Sequence, residues 1–165
     1  MKQSEIALTL YTIRNYCQNQ KDLHDSLKKI KKIGYDAIQV SSIGPIDPKE
    51  VKKMCDDIGL NICATHEPNK EIINNTETII DKLNILNCSY TALPYPKNIN
   101  FLDLNVLDKF IEDINKAGSI FNKSGKVLCY HNHALEFQKT NNEIILDRIY
   151  NKTESKLIQG EPDVY

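Results

Sequence analysis

Short apolar runs recur along this sequence at intervals of roughly 25 to 37 residues, each interval filled by one helical pattern. The runs fall at 6–10, 37–40, 61–65, 90–93, 127–130 and 156–159. A strand, a crossover helix and a second parallel strand need about this length, so the spacing predicts a parallel sheet. Parallel strands are covered by helices on both faces and read as apolar runs rather than strict alternation, as these do.

The helical patterns carry their own punctuation. Leu23, Leu27, Ile30 and Ile33 share one face of a helix over 22–33, with Asp22 as the expected N-cap and Gly34 beyond the end. Asp47 and Pro48 open a second helix through Val51, Met54, Cys55 and Ile58 to Gly59. A third is expected from Ile72 to Leu86, a fourth from Leu104 to Phe121 with Asp103 as cap, and a weaker fifth over 142–150.

Six βα periods fit either a doubly wound open sheet or an incomplete eight-stranded barrel, since a complete barrel takes about 250 residues. The open sheet usually carries a glycine-rich phosphate loop after its first strand. Here that strand runs into Tyr11-Thr12-Ile13-Arg14, without glycine. The expectation is an α/β chain forming a single truncated domain over 1–165, an incomplete (β/α)8 TIM barrel of about six βα units.

Charge narrows the partners. With 21 basic and 22 acidic residues the net charge is −1, which provides no field for gathering nucleic acid or anionic membranes. No run approaches the roughly 20 apolar residues of a membrane span, and the start MKQSEIALTLY lacks the features of a signal peptide. The expected location is cytoplasmic. The five cysteines are scattered and never form a CxxC pair, and Cys63 and Cys129, within strand-like runs, are expected to be small buried hydrophobes.

In a parallel α/β fold, functional side chains gather at the carboxyl ends of the strands. Those positions hold Tyr11 and Arg14, Gln39 and Ser41, His66 and Glu67, then Tyr95, then His131, Asn132, His133 and Glu136, and finally Glu161 and Asp163. Strand alternation places His131 and His133 on one face with Asn132 turned away. Imidazoles and carboxylates together suit a divalent cation, although spacing alone leaves metal ligation and a hydrogen-bonded structural role both open.

The segments Leu10-Tyr11-Thr12-Ile13-Arg14, Ile33-Gly34-Tyr35-Asp36-Ala37-Ile38-Gln39-Val40, Ala64-Thr65-His66, Tyr130-His131-Asn132-His133 with Glu136-Phe137, and Asp163-Val164-Tyr165 occur in that order. Together they resemble the sugar phosphate isomerase/epimerase family of xylose isomerase-like TIM barrels, over the whole chain. The resemblance implies one divalent ion (Mn, Mg or Zn) at the barrel mouth, with Glu136 and Asp163 as the first two ligands. It gives Glu136 a second role as a catalytic acid/base group. It makes His66 and His133 sugar-binding residues.

The implied chemistry is proton transfer next to a carbonyl of a small sugar. A metal-dependent keto-inositol dehydratase-like lyase and a non-catalytic fragment are the other readings. The other two ligands of the resemblance have no counterpart here, so the chain alone is expected to be inactive, and to self-associate or meet a completing chain. Pro162, directly before Asp163, is expected to weaken the pairing of the last strand.

Overall fold

The computed structural model describes residues 6–164, leaving the first five residues of the start read above for a signal peptide, and Tyr165 of the last motif, outside the described residues. Six strands form one sheet in the order β1-β2-β3-β4-β5-β8: β1 (Ala7–Thr9), β2 (Ala37–Val40), β3 (Asn61–His66), β4 (Tyr90–Leu93), β5 (Val127–His131) and β8 (Ile158–Glu161). Helices alternate with them, as the spacing predicts. The fold is a parallel βα repeat that matches part of a TIM barrel. The chain divides into two compact units, Met1–His66 with Asp81–Tyr90, and Glu67–Ile80 with Thr91–Tyr165.

In the first unit β1 pairs with β2, and β2 with β3, all parallel, with one register shift at Ile38/Gln39. Helix α1 (Gln20–Ile33) buries Leu23, Leu27 and Ile30, each contributing on the order of 1.5–3 kcal/mol. Its cap differs from expectation. Asn19, not Asp22, adopts the extended cap conformation and accepts the Asp22 N–H at 3.0 Å, and Ile33 at 70% exposure lies off the buried face. Helix α2 (Pro48–Ile58) is capped by Asp47 as expected, through Lys49 N–H at 2.8 Å. Both helices end on left-handed glycines, Gly34 at φ 113° and Gly59 at φ 77°, where a Cβ would be strained.

The helix expected between Ile72 and Leu86 is two, α3 (Asn69–Asn74) and α4 (Thr76–Ile85). Asn75 breaks it, leaving helical geometry at φ −129° while its amide donates to Glu71 Oε2. Local side-chain bonds of this sort compete with the helix ladder. Cys63 is exposed, contrary to the buried role expected from its run, because β3 turns that side chain off the buried face.

In the second unit β5 and β8 run parallel, pairing Leu128 with Ile158 and His131 with Glu161. Helix α5 (Leu104–Lys123), capped by Asp103 at Asn105 N–H, buries Leu107, Phe110, Ile111, Ile114, Ala117, Gly118 and Phe121. Gly118 lets the helix approach closely: a Cβ there would stand 2.7 Å from Leu157 O. The fifth helical pattern resolves into a small hairpin, β6 (Lys139–Thr140) with β7 (Glu143–Ile144), followed by α6 (Ile145–Asn151). Asn141 and Asn142 turn the hairpin at φ 47° and 66°, a conformation Asn tolerates. Arg148 on α6 donates to Asp108 on α5 at 2.8 and 2.9 Å and to Glu143 at 2.7 Å. No helix among the described residues is long and apolar enough to cross a membrane.

Candidate functional site

The carboxyl end of β5 concentrates the polar groups of the second unit. Register places Glu161 beside His131, and their side chains follow: His131 Nδ1 lies 3.4 Å from Glu161 Oε1 and 3.3 Å from its main-chain oxygen. On the opposite ring nitrogen, Asp163 Oδ2 stands 3.9 Å from Nε2. One imidazole is therefore flanked by two carboxylates, at 29% and 45% exposure.

Pro162 has no N–H, and β8 ends just before it. The pairing continues by another means. The Asn132 side chain donates to Asp163 O and accepts from Asp163 N, both at 3.1 Å, imitating a strand peptide while 4% exposed. Asp163 is thereby fixed next to His131 despite the proline.

Beyond Asn132 the chain enters a short 3-10 turn, Ala134–Phe137, which folds Glu136 inward until it is 0% exposed. Its Oε1 accepts the Tyr130 hydroxyl at 2.7 Å and its Oε2 accepts the His133 N–H at 2.8 Å. Burial, then the neighbouring Glu136 carboxylate, pushes the Tyr130 phenol well above its ordinary value, so that group donates. The His133 ring meets Tyr95 edge-on at 5.0 Å and His131 edge-on at 4.8 Å. The two histidines that strand alternation puts on one face are thus in ring contact.

The expected ligands Glu136 and Asp163 therefore stand in different settings, the first enclosed and doubly bonded, the second beside His131. In the first unit, His66 at the end of β3 has Gln39 Nε2 3.1 Å from its Nε2 and Ser41 Oγ 3.1 Å from its Nδ1. Arg14 lies over the Tyr11 ring at 4.2 Å and donates to Tyr11 O at 2.8 Å. Burial pushes the Cys55 thiol up to about 12 and the Cys129 thiol up to about 11, away from the reactive thiolate form.

Two roles escape sequence reading. Asn132 looks like a residue pointing away from the site, and its strand-mimicking bonds depend on where β8 ends. Tyr130 reads as one more apolar strand residue, and only the turn brings Glu136 back to its hydroxyl.

A His and a carboxylate oxygen each about 2.1 Å from one ion stand roughly 3.0–3.4 Å apart, so His131 and Glu161 have the separation of a metal-ligand pair. Among the described residues both belong to the histidine and carboxylate atoms close enough to share an ion.

No family model matches the sequence, and no curated protein does. Solved structures do match. A sugar phosphate isomerase/epimerase from Parabacteroides distasonis superposes with TM-score 0.83 at 22% identity, over 100% of this chain and 67% of its own. A xylose isomerase-like TIM barrel protein from Mycobacterium smegmatis, in complex with magnesium, gives 0.74 at 12% identity, over 96% and 64%. A family 2 AP endonuclease from Brucella melitensis gives 0.69 at 11%, over 96% and 68%. The fold is that of the xylose isomerase-like TIM barrels, and this chain spans about two thirds of the length of these structures.

Proposed function

We propose that this chain supplies part of a divalent-metal site in a sugar isomerase or epimerase type of barrel. The observation that carries the reading is the His131 imidazole held between Glu161 and Asp163. In this proposal the His131 ring and Glu161 take the ion. Asp163 stands on the other side of the ring, its Oδ2 3.9 Å from Nε2. In this proposal Asp163, expected as a ligand, lies beside the ligating ring rather than on the ion, and the ligand role expected of Glu136 passes to His131 and Glu161.

A manganese, magnesium or zinc ion held there supplies positive charge to a carbonyl or hydroxyl oxygen of a small sugar. The surrounding side chains of the second unit bind and orient. His133 and Tyr95 offer ring edges and faces to the sugar, and Asn132 keeps Asp163 in place. His66, steadied by Gln39 and Ser41, is proposed as a further sugar-binding residue. The proton-transfer step and the remaining ligands belong to the whole barrel.

The fold is shared with an AP endonuclease, so fold alone does not choose the substrate. The net charge of −1 favours a small ligand over a DNA backbone. The same preference sets nucleic acid and membranes aside as partners, and a cytoplasmic location agrees with a soluble sugar.

Thermal unfolding tests this. With manganese present, a ketose or ketose phosphate from a panel should raise the midpoint by a few degrees, and chelation or His131→Ala should remove the shift. A midpoint moved by abasic-site DNA and by no sugar would replace the reading with the nuclease one.

A further inference from the structure

We infer that Glu136 and Tyr130 form a positioning pair that fixes His133 from beneath, and that Glu136 is neither a ligand nor an acid/base group. The inference rests on the proposed site insofar as it gives His133 something to act on, but its geometry is independent of any ion.

A carboxylate that ligates or exchanges protons with substrate has to present an oxygen to it. Glu136 presents none: it is 0% exposed, and each oxygen is already engaged, Oε1 by the Tyr130 hydroxyl and Oε2 by the His133 main-chain N–H. Tyr130 is itself immobilised, 1% exposed, with Phe110 at 6.3 Å and Tyr150 at 6.4 Å in edge contacts. The bond from its hydroxyl therefore refers Glu136 to the packed layer beneath β5.

His133 needs such a reference. Its side chain caps the Glu136 main-chain N–H across the turn, and its buried Nδ1 lies 3.7 Å from Glu136 Oε1. What holds the ring is this reciprocal cap with Glu136, together with the edges of Tyr95 and His131. Releasing the clamp lets His133 turn, and the Tyr95–His133–His131 row loses its middle member.

The test uses nuclear magnetic resonance on the full chain with Glu136→Gln, Tyr130→Phe and Glu161→Gln. An amide at 136 accepts on one oxygen only, so Glu136→Gln should lower the exchange protection of the His133 amide about tenfold and weaken the Tyr95–His133 ring cross-peaks. Tyr130→Phe keeps the packing and should produce the same loss in weaker form, which decides the matter if the first variant does not fold. Manganese affinity by calorimetry should stay within about threefold of wild type in both, and fall more than tenfold in Glu161→Gln.

Unchanged His133 protection and ring contacts in a folded Glu136→Gln or Tyr130→Phe chain would overturn the inference. So would a folded Glu136→Gln chain that loses manganese as Glu161→Gln does, since Glu136 would then be a ligand. A wild-type chain that binds no manganese removes the proposed function instead, and the resonance comparison still decides the role of Glu136.

Discussion

Two glutamates close to the same strand end stand in opposite environments. Glu136, on the turn after β5, is fully enclosed and bonded by a phenol and a main-chain amide, while Glu161, at the end of β8, is part-exposed beside an imidazole. The first has committed a lone pair of each oxygen to the fold. The second keeps its head group where a cation or a substrate can reach it. The difference comes from the local chain: a 3-10 turn folds Glu136 back under β5, whereas a parallel register carries Glu161 to the level of His131.

If the contrast is right, truncation separates the two sharply. Glu136→Ala leaves the Tyr130 hydroxyl and the His133 N–H buried without acceptors and should lower the urea-unfolding free energy by about 3 kcal/mol. Glu161→Ala should change it by less than about 1 kcal/mol, because water replaces what is lost. Equal losses in the two would erase the distinction.

The next effect sharpens the platform under both residues. Gly118→Ala drives a methyl against Leu157 O, where β8 begins, and should destabilise by about 2 kcal/mol. The damage should reach the Glu161 side, seen as lost amide protection at Ile158–Glu161. A smaller effect comes from Asn132→Ala, which removes both side-chain bonds to the Asp163 backbone and should destabilise by about 1 kcal/mol. Its clearer signature is faster exchange of the Asp163 amide and weaker manganese binding, with the Glu136 turn unaffected.

The smallest expected effect is electrostatic. The Arg148 guanidinium hydrogen bond holds the Asp108 carboxyl at about 2, below its usual 3.8. A depressed carboxylate stabilises the folded state above its unfolded value, and that contribution fades as pH falls from about 4 towards 2. Arg148→Gln should flatten this part of an acid-unfolding profile slightly, since the pair is part-exposed and screened. A steep change there would mean the network carries more of the second unit than its exposure implies.

Much of the repeat was legible because strands and helices follow backbone-scale periodicities. The Asp47-Pro48 start, the Gly34 and Gly59 stops and the Asp103 cap are local chemistry, and the structure reproduces each. What sequence could not show depended on competition between neighbours. Asn75 divides a continuous apolar pattern into α3 and α4, and Asn141-Asn142 turn an expected helix start into a hairpin. The site was legible as a neighbourhood, since functional groups cluster at strand ends. Which carboxylate faces outward was not, because it depends on the sense of the turn after His133 and on the register of β8.

Manganese binding by calorimetry to Glu161→Gln and Glu136→Gln, each confirmed folded, tests the central claim most directly. The account predicts binding on the order of micromolar in wild type, a loss exceeding tenfold in Glu161→Gln and near-wild-type affinity in Glu136→Gln. The reverse order, with Glu136→Gln abolishing binding and Glu161→Gln sparing it, would contradict the account and return Glu136 to the metal.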